Sequence, residues 1–246
     1  MKKVSAVFVI GHSPAIVTET LAALYFQQNV LVEAVTVIST YSGASALSRQ
    51  LFESGAWEAF TDAYPEYQSC NFSSERVLAC AGEDIRNEAE NRSMAESIFS
   101  TVQELTAEGM PSLMASIAGG RKTMGYYMGF AMSLFGRKDD WMTHVLVPEA
   151  WEKDRGFLFP QPQDAGRIDL IDIPFIRLRG HLKPSVGKAD IEALIHSAQS
   201  AIDLSVLEPV IFRIRRRSVS YLGKAVEFSE REFSILQFFA ARQICP

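Results

Sequence analysis

Two cations and a hydroxyl lie together in the stretch SIAGGRKTM, where an apolar run ends in two glycines and a helical pattern begins. Arg121, Lys122 and Thr123 directly follow the glycine pair. Glycines let the backbone approach an anion closely, and the free N–H groups at a helix N-terminus favour negative charge. The Ala118–Thr123 loop is therefore predicted to bind an anion, although a tight turn with solvated cations fits the same residues.

The loop differs from the phosphate-binding loop of nucleoside-triphosphatases. That motif requires glycines five residues apart before its Lys-Ser or Lys-Thr pair. This chain has Ser116 at the first of those positions and Arg121 at the second. The sequence thus argues against an ATPase or GTPase.

Two further loops carry polar side chains beside glycine. GHSP at Gly11–Pro14 offers His12 and Ser13 to a phosphate or a ribose, although a simple turn with Ser13 as a helix N-cap is the alternative. The Thr40–Gly43 stretch offers hydroxyls and the ring of Tyr41, which could stack on a base. A hydrogen-bonded turn explains that stretch equally well.

The first 150 residues alternate between strand-like and helix-like segments. Five buried strands are predicted at Val4–Ile10, Glu33–Thr40, Glu75–Cys80, Ser112–Ala118 and Thr143–Pro148. The main helices are predicted at Ala15–Gln28, at Asn87–Glu108 (closed by Gly109) and at Lys122–Phe135. This alternation predicts an α/β fold: a Rossmann-like parallel sheet covered on both faces.

Parallel sheets bind ligands beyond the carboxyl ends of their strands. The rule selects the same three loops: Gly11–Pro14, Thr40–Ser45 and Ala118–Thr123. We therefore expect these loops to build one site.

After about residue 160 the pattern changes, which predicts two parts: a ligand-binding domain over residues 1–160 and a smaller mixed α+β region over residues 161–246. In that region we expect a helix over Lys188–Leu204, a hairpin turning at Leu222–Lys224 and a helix capped by Ser229. Arg215–Arg217 reads as a solvated edge strand.

Composition excludes several classes of protein. The net charge of −5 argues against a general nucleic-acid coat protein, and DNA is an improbable partner. Three cysteines without metal-ligand or redox spacing predict reduced thiols in a cytoplasmic protein. No cluster of His, Asp or Glu has metal-ligand spacing and no GxGxxG motif occurs, so neither a metal nor a cofactor is expected. No apolar run is long enough to span a membrane, and no leader sequence is expected.

Asp139–Asp140, after a helix ending at Gly136, is predicted to be a solvated loop.

Three segments together resemble the CARF-type ring nucleases of type III CRISPR systems: GHSPAIVTETLAAL, EDIRNEAENRSMAESI and SIAGGRKTMGYYMGFAMSLFGRKDDWMTHVLV. The resemblance covers roughly the first 160 residues. It implies a homodimer that binds cyclic oligoadenylate, with cyclic tetra-adenylate expected first, across its twofold axis. It also implies metal-independent linearisation, in which a ribose 2′-OH attacks the adjacent phosphate and leaves a 2′,3′-cyclic phosphate.

The resemblance further implies roles for individual residues. Lys122 is the expected cation at the reacting phosphate, and Ser13 the hydroxyl that orients the reacting ribose or phosphate. Thr18 and Glu19 lie one turn into the first helix, where they would contact the catalytic side chains and not the ligand itself. The remaining ligand-binding positions are Gly11, His12, Thr40, Tyr41, Ser42, Gly43, Ala118, Gly119, Gly120, Arg121 and Thr123.

A non-cleaving sensor is the alternative function. Some relatives with a CARF domain act as transcription regulators through a winged helix, and the C-terminal hairpin and helix resemble the start of such a module. In that case the C-terminal region would transmit ligand binding to a partner; otherwise it would serve as a dimer arm or lid. The helical ribonuclease domain of other relatives is not expected, because Arg177 and His181 are too close for its motif.

Overall fold

The structure, a computed structural model, describes residues 1–80, 82–154, 156–179, 193, 195–196, 198–200, 211–221 and 224–244. The chain divides into two compact units, Met1–Ala198 and Gln199–Pro246. The first unit contains a six-stranded sheet and the helices that cover it. The second contains a three-stranded sheet and a helix.

The strands among the described residues are β1 Lys2–Ile10, β2 Val30–Ser39, β3 Val77–Ala79, β4 Leu113–Ser116, β5 Trp141–Leu146, β6 Asp169–Ile173, β7 Ile211–Arg213, β8 Ser218–Tyr221 and β9 Lys224–Glu227. Within the described ranges, the helices with assigned bounds are α1 Ala15–Gln28, α2 Tyr41–Leu47, α3 Ala56–Ala63, α4 Glu88–Leu105, α5 Lys122–Phe135, α6 Glu149–Lys153 and α7 Glu230–Ile244. A π-helical segment, Ser48–Glu53, continues α2. None of the described helices is long and apolar enough to cross a membrane.

The large sheet has the order β3-β2-β1-β4-β5-β6. Its first five strands are parallel, and β6 runs antiparallel to β5. The predicted α/β fold with a mostly parallel sheet is confirmed, and helices α1 and α5 have the predicted bounds. Helix α4 ends three residues earlier than predicted, and the Thr106 hydroxyl at its end donates to the Val102 carbonyl at 2.8 Å.

Strand β1 is the centre of the sheet and faces two separate cores. Every residue from Val4 to Ile10 is buried, as expected for a parallel strand covered on both sides. Phe8 belongs to the core that includes α1, whereas Val9 belongs to the core that includes α4 and α5. Helices α1 and α5 therefore cover opposite faces of the sheet.

The second unit is a small antiparallel sheet followed by α7. The predicted antiparallel pairing is confirmed, since β8 pairs with β9 up to Tyr221↔Lys224. Leu222 and Gly223, where the turn was predicted, lie outside the described residues. Ser229 caps α7 as predicted: its hydroxyl accepts the Glu232 N–H at 3.4 Å, and Glu232 accepts the Ser229 N–H at 2.9 Å. The arginine run is not a strand, because Ile214–Arg216 forms a single 3-10 turn. Most of the helix predicted over residues 188–204 lies outside the described residues.

Asp140 contradicts the prediction of a solvated loop. Its side chain is fully buried, and it accepts hydrogen bonds from the Leu113 amide at 2.7 Å and the Arg137 amide at 2.7 Å. The Arg137 guanidinium adds a charged bond at 2.9 Å. Burial alone would raise the pKa of Asp140, but these hydrogen bonds outweigh it and lower the pKa. The carboxylate therefore ties the start of β4 to the end of α5.

Replacing Asp140 with Asn should lower the free energy of unfolding by about 2–4 kcal/mol at neutral pH, because the buried guanidinium contact loses its charge partner. Urea denaturation measures the change, and Asp139→Asn at the exposed neighbour is the matched control. The Asp140 pKa is lowered in the folded protein, so its contribution is present above the usual carboxyl pKa. It should therefore fade as the pH falls below about 4. Equal stability of the two variants at pH 7 would contradict this account.

Candidate ligand site at the carboxyl edge of the sheet

The loops that follow β1, β2, β3 and β4 meet around one cavity. Its volume is about 410 Å³. Eight of the predicted site residues line it: Gly11, His12, Ser13, Thr40, Ala118, Gly119, Gly120 and Arg121. The cavity lies where the strand order reverses between β1 and β4, which is the usual ligand position in an open α/β sheet. We call it the switch-point cavity.

Five predicted site residues do not line this cavity. Lys122 and Thr123 occupy the first turn of α5 with exposed side chains. Tyr41 is 54% exposed, at the start of α2. Ser42 and Gly43 pack the loop after β2 against its neighbours.

Close approach between loops explains two of the glycines. A Cβ atom at Gly119 would lie 2.7 Å from the Val9 carbonyl oxygen. One at Gly43 would lie 2.6 Å from the Gly11 carbonyl oxygen. Both distances are shorter than real Cβ contacts, so these glycines allow the loops after β1, β2 and β4 to pack together. The glycines therefore shape the cavity, in addition to any approach to a ligand.

The loop after β2 is held by its own hydroxyls. Thr40 caps α2, its side-chain oxygen accepting the Gly43 N–H at 3.2 Å. The Ser42 hydroxyl donates to the carbonyl of Glu83 in the loop after β3. The Thr40 and Ser42 hydroxyls therefore both form the hydrogen-bonded turn that was the alternative prediction for this stretch. Thr40 nevertheless lines the cavity.

Asp84 lines the switch-point cavity and was missed by the sequence analysis. It pairs with Arg121 through two hydrogen bonds, one of them Nε to Oδ1 at 2.8 Å. Hydrogen bonding from Arg121 is the main cause that holds the pKa of Asp84 well below its usual range. Asp84 follows β3, so the strand-end rule would have found it had it been applied to that loop as well.

Lys122 and Ser13 stand in contrast to Arg121. Neither side chain has a hydrogen-bond or ion-pair partner among the residues that the structure describes, and both are exposed. Helix α1 begins at Ala15, and its N-cap position, Pro14, makes no side-chain capping bond. The alternative role of Ser13 as the N-cap is therefore wrong, and its hydroxyl is available to a ligand.

A second cavity, of about 930 Å³, adjoins the first on the side of α1. We call it the α1 cavity. His12, Ser13, Ile16 and Ala118 line both cavities. Half-buried His144, which the strand pattern predicted to be a core or supporting residue, lines this second cavity.

The arrangement suits a phosphate better than a metal ion. Backbone amides at the start of α5, the oriented guanidinium of Arg121 and the ammonium of Lys122, which has no partner among the described residues, lie at the same edge of the sheet. Within the described part of the chain, no group of three or more His, Cys, Asp or Glu side chains could hold a metal ion.

Comparison with known proteins gives one family. The family model for CRISPR-associated protein NE0113 (Cas_NE0113) matches residues 13–202. No curated protein matches the chain. A solved UDP-N-acetylglucosamine 2-epimerase is 15% identical, with a TM-score of 0.32, over 68% of this chain and 38% of that one. A second structure under the same enzyme description, from Listeria monocytogenes, is also 15% identical with a TM-score of 0.32, over 85% of this chain and 44% of that one. The chain thus spans less than half the length of either structure.

The packing of Gly119 can be tested by adding a single methyl group. Gly119→Ala should lower the free energy of unfolding by about 1–3 kcal/mol, because its Cβ meets backbone atoms of β1 that cannot move aside. Chemical denaturation measures the change. Gly166→Ala is the control, since a Cβ there meets no atom within 4 Å. A Gly119→Ala protein as stable as the control would contradict the close loop contact.

Proposed function

Because this chain belongs to the family of CRISPR-associated protein NE0113, we propose that it is a ring nuclease. It binds a cyclic oligoadenylate, cyclic tetra-adenylate first among them, and cuts one phosphodiester bond. Linearising the ring removes the second messenger and switches off type III CRISPR signalling. This proposal takes its substrate from the resemblance of the three sequence segments to CARF-type ring nucleases.

The switch-point cavity is the observation that carries the proposal. Eight residues that the resemblance assigns to the ligand line one cavity, although they come from three loops that are far apart in the sequence. Arg121 lines the cavity at the start of α5, where backbone amides and the exposed Lys122 add positive charge at the same edge, as a phosphodiester requires. A cyclic, symmetric ligand also suits a homodimer, in which the same loops from two copies would face the ring.

The proposed reaction needs little covalent work from the protein. The ribose 2′-oxygen attacks the neighbouring phosphorus and loses its proton, while the bond from phosphorus to the 5′-oxygen breaks and that oxygen gains a proton. The products carry a 2′,3′-cyclic phosphate and a 5′-hydroxyl. Alignment of the 2′-oxygen with the leaving oxygen and stabilisation of the phosphoryl charge supply the acceleration.

The two cations differ in what they can contribute. Arg121 is held by Asp84, so its guanidinium has a fixed direction and part of its charge is compensated. Lys122 has no such partner among the described residues, and its ammonium keeps its full charge for the reacting phosphate. Arg121 is accordingly assigned to grip the ligand, Lys122 to stabilise the transition state and Ser13 to orient the reacting ribose or phosphate.

Incubation with labelled cyclic tetra-adenylate and cyclic hexa-adenylate in excess EDTA tests the proposed function. Linear products ending in a 2′,3′-cyclic phosphate are expected. A ring that binds tightly and stays intact over hours would overturn the nuclease and favour the non-cleaving sensor. A ring that does not bind would overturn both.

Lys122→Ala should reduce the single-turnover cleavage rate by about 10²–10³, because the positive charge assigned to the transition state is removed. Ser13→Ala should reduce it by a smaller factor. Ring affinity, measured separately by fluorescence anisotropy, should change less than the rate. Lys138→Ala, at an exposed lysine beyond the other end of α5, serves as the control. Cleavage by Lys122→Ala at the control rate would contradict the assigned role.

Asp84→Asn should strengthen binding of the ring by a few fold, since it removes a negative charge from the cavity wall and frees the charge of Arg121. The dependence of affinity on salt concentration should also become steeper. Glu83→Gln is the control, because the exposed Glu83 side chain does not line the cavity. Weaker binding by Asp84→Asn would contradict this expectation. It would show that Asp84 helps binding more by orienting Arg121 than it opposes binding by compensating the charge of Arg121.

A further inference from the structure

The α1 cavity begins where the switch-point cavity ends. The two share a wall made of His12, Ser13, Ile16 and Ala118. A ligand whose phosphate lies in the switch-point cavity can therefore reach the α1 cavity by passing these four residues alone. In an oligonucleotide, a sugar and its base extend from the phosphate in this way.

Glu19 is a buried carboxyl that lines the α1 cavity. It is 6% exposed, and among the described residues it makes no hydrogen bond and no ion pair. Its neighbour Thr18 is satisfied, since the Thr18 hydroxyl donates to the Leu158 carbonyl oxygen at 2.6 Å. Buried polar groups are nearly always paired. A buried carboxyl that lines a cavity and has no partner among the described residues is therefore available to a ligand.

The environment of Glu19 favours its neutral form. Burial raises the pKa of Glu19 to about 7, and the negative charge of Glu152 adds to the effect. The other titratable and charged groups that line the cavity are His12, Arg49, His144 and Asp154. Arg49 makes no ion pair with Glu19 that would restore its charge. A neutral carboxyl offers an O–H donor beside a carbonyl acceptor.

Adenine presents the matching pair of groups. Its 6-amino group is a donor, and the ring nitrogen beside it is an acceptor. An ionised carboxylate has only acceptors, so it would fit the adjacent N–H donors of guanine better. The cavity walls also include apolar side chains such as Ile16, Phe157 and Leu158, which suit the faces of a flat base.

We propose that the α1 cavity takes an adenine base of the bound oligonucleotide, and that Glu19 reads the edge of that base. The carboxyl O–H donates to an adenine ring nitrogen, and the carboxyl carbonyl accepts from the 6-amino group. Glu19 is thus a specificity-determining residue, a role different from the supporting position that the resemblance implies. This inference rests on the proposed function for the identity of the ligand.

Two substitutions at Glu19 test the contact. Glu19→Gln keeps one donor and one acceptor at the same place, whereas Glu19→Leu removes both. In the Lys122→Ala background, chosen to keep the ring intact, Glu19→Leu should weaken binding of cyclic tetra-adenylate by about tenfold or more. Glu19→Gln should bind within about threefold of the protein that retains Glu19. Thermal melting of each variant establishes that it is folded.

The pH dependence of ring binding tests whether the Glu19 carboxyl is protonated in the complex. Adenine needs the protonated carboxyl, so ring affinity should fall as the pH rises through about 7. Glu19→Gln cannot lose that proton, so its ring affinity should not show this fall. Identical pH profiles for the two proteins would overturn the inference.

Binding of mononucleotides tests the adenine pocket separately from binding of the ring. Adenosine 5′-monophosphate should bind the otherwise wild-type protein more tightly than guanosine 5′-monophosphate below pH 7, and Glu19→Leu should abolish the preference. Ring affinity that is unchanged in Glu19→Leu would overturn the pocket assignment and leave the proposed function standing. A ring that does not bind at all would overturn the proposed function. Adenosine 5′-monophosphate would then test the adenine pocket by itself. If that nucleotide also fails to bind, the pocket assignment is overturned as well.

Discussion

The reversal of strand order between β1 and β4 is the constraint on which the site depends. The two strands are parallel neighbours, paired from Ser5↔Leu113 to Phe8↔Ser116. Their following helices leave toward opposite faces of the sheet, because α1 packs in one core and α5 in the other. The chain cannot fill the space between two helices that diverge in this way. A cavity therefore opens there, lined by the loops that lead into both helices.

The loops hold this cavity open by packing against one another and not by long side chains. Gly119 lies against β1, and Gly43 lies against Gly11. The Ser39 hydroxyl donates to the Ile10 carbonyl oxygen at 2.7 Å, which joins the ends of β1 and β2. With the backbone fixed by these contacts, the side chains at the rim remain available for a ligand. The charges at the rim are then divided between a compensated Arg121 and an unpaired Lys122.

Much of this architecture follows from local sequence patterns. The uninterrupted apolar run of β1 and the helical spacing of α1 and α5 are strong signals, and the rule for the carboxyl ends of parallel strands selects the correct edge. Local sequence patterns give wrong predictions where contacts between residues far apart in the chain determine the structure. Asp140 looks like a loop residue in the sequence, but the amide of Leu113, far away in the chain, makes it a buried acceptor. The α1 cavity could not be predicted for the same reason, because the residues that line it come from several separate loops. Asp84 is a different case, since it follows β3 and the rule for strand ends also applies to that loop. Whether the predicted site residues bind and cut a ligand stays a prediction.

The central claim is that this cavity binds a cyclic oligoadenylate and cuts it by attack of its own ribose hydroxyl. Phosphorus-31 NMR of cyclic tetra-adenylate, mixed with a stoichiometric amount of protein in EDTA, observes the bond in question directly. The account predicts that the single resonance of the symmetric ring is replaced by several, one of them in the region of a 2′,3′-cyclic phosphate. A ring resonance that persists unsplit, or products that end in ordinary phosphomonoesters without a cyclic intermediate, would contradict it.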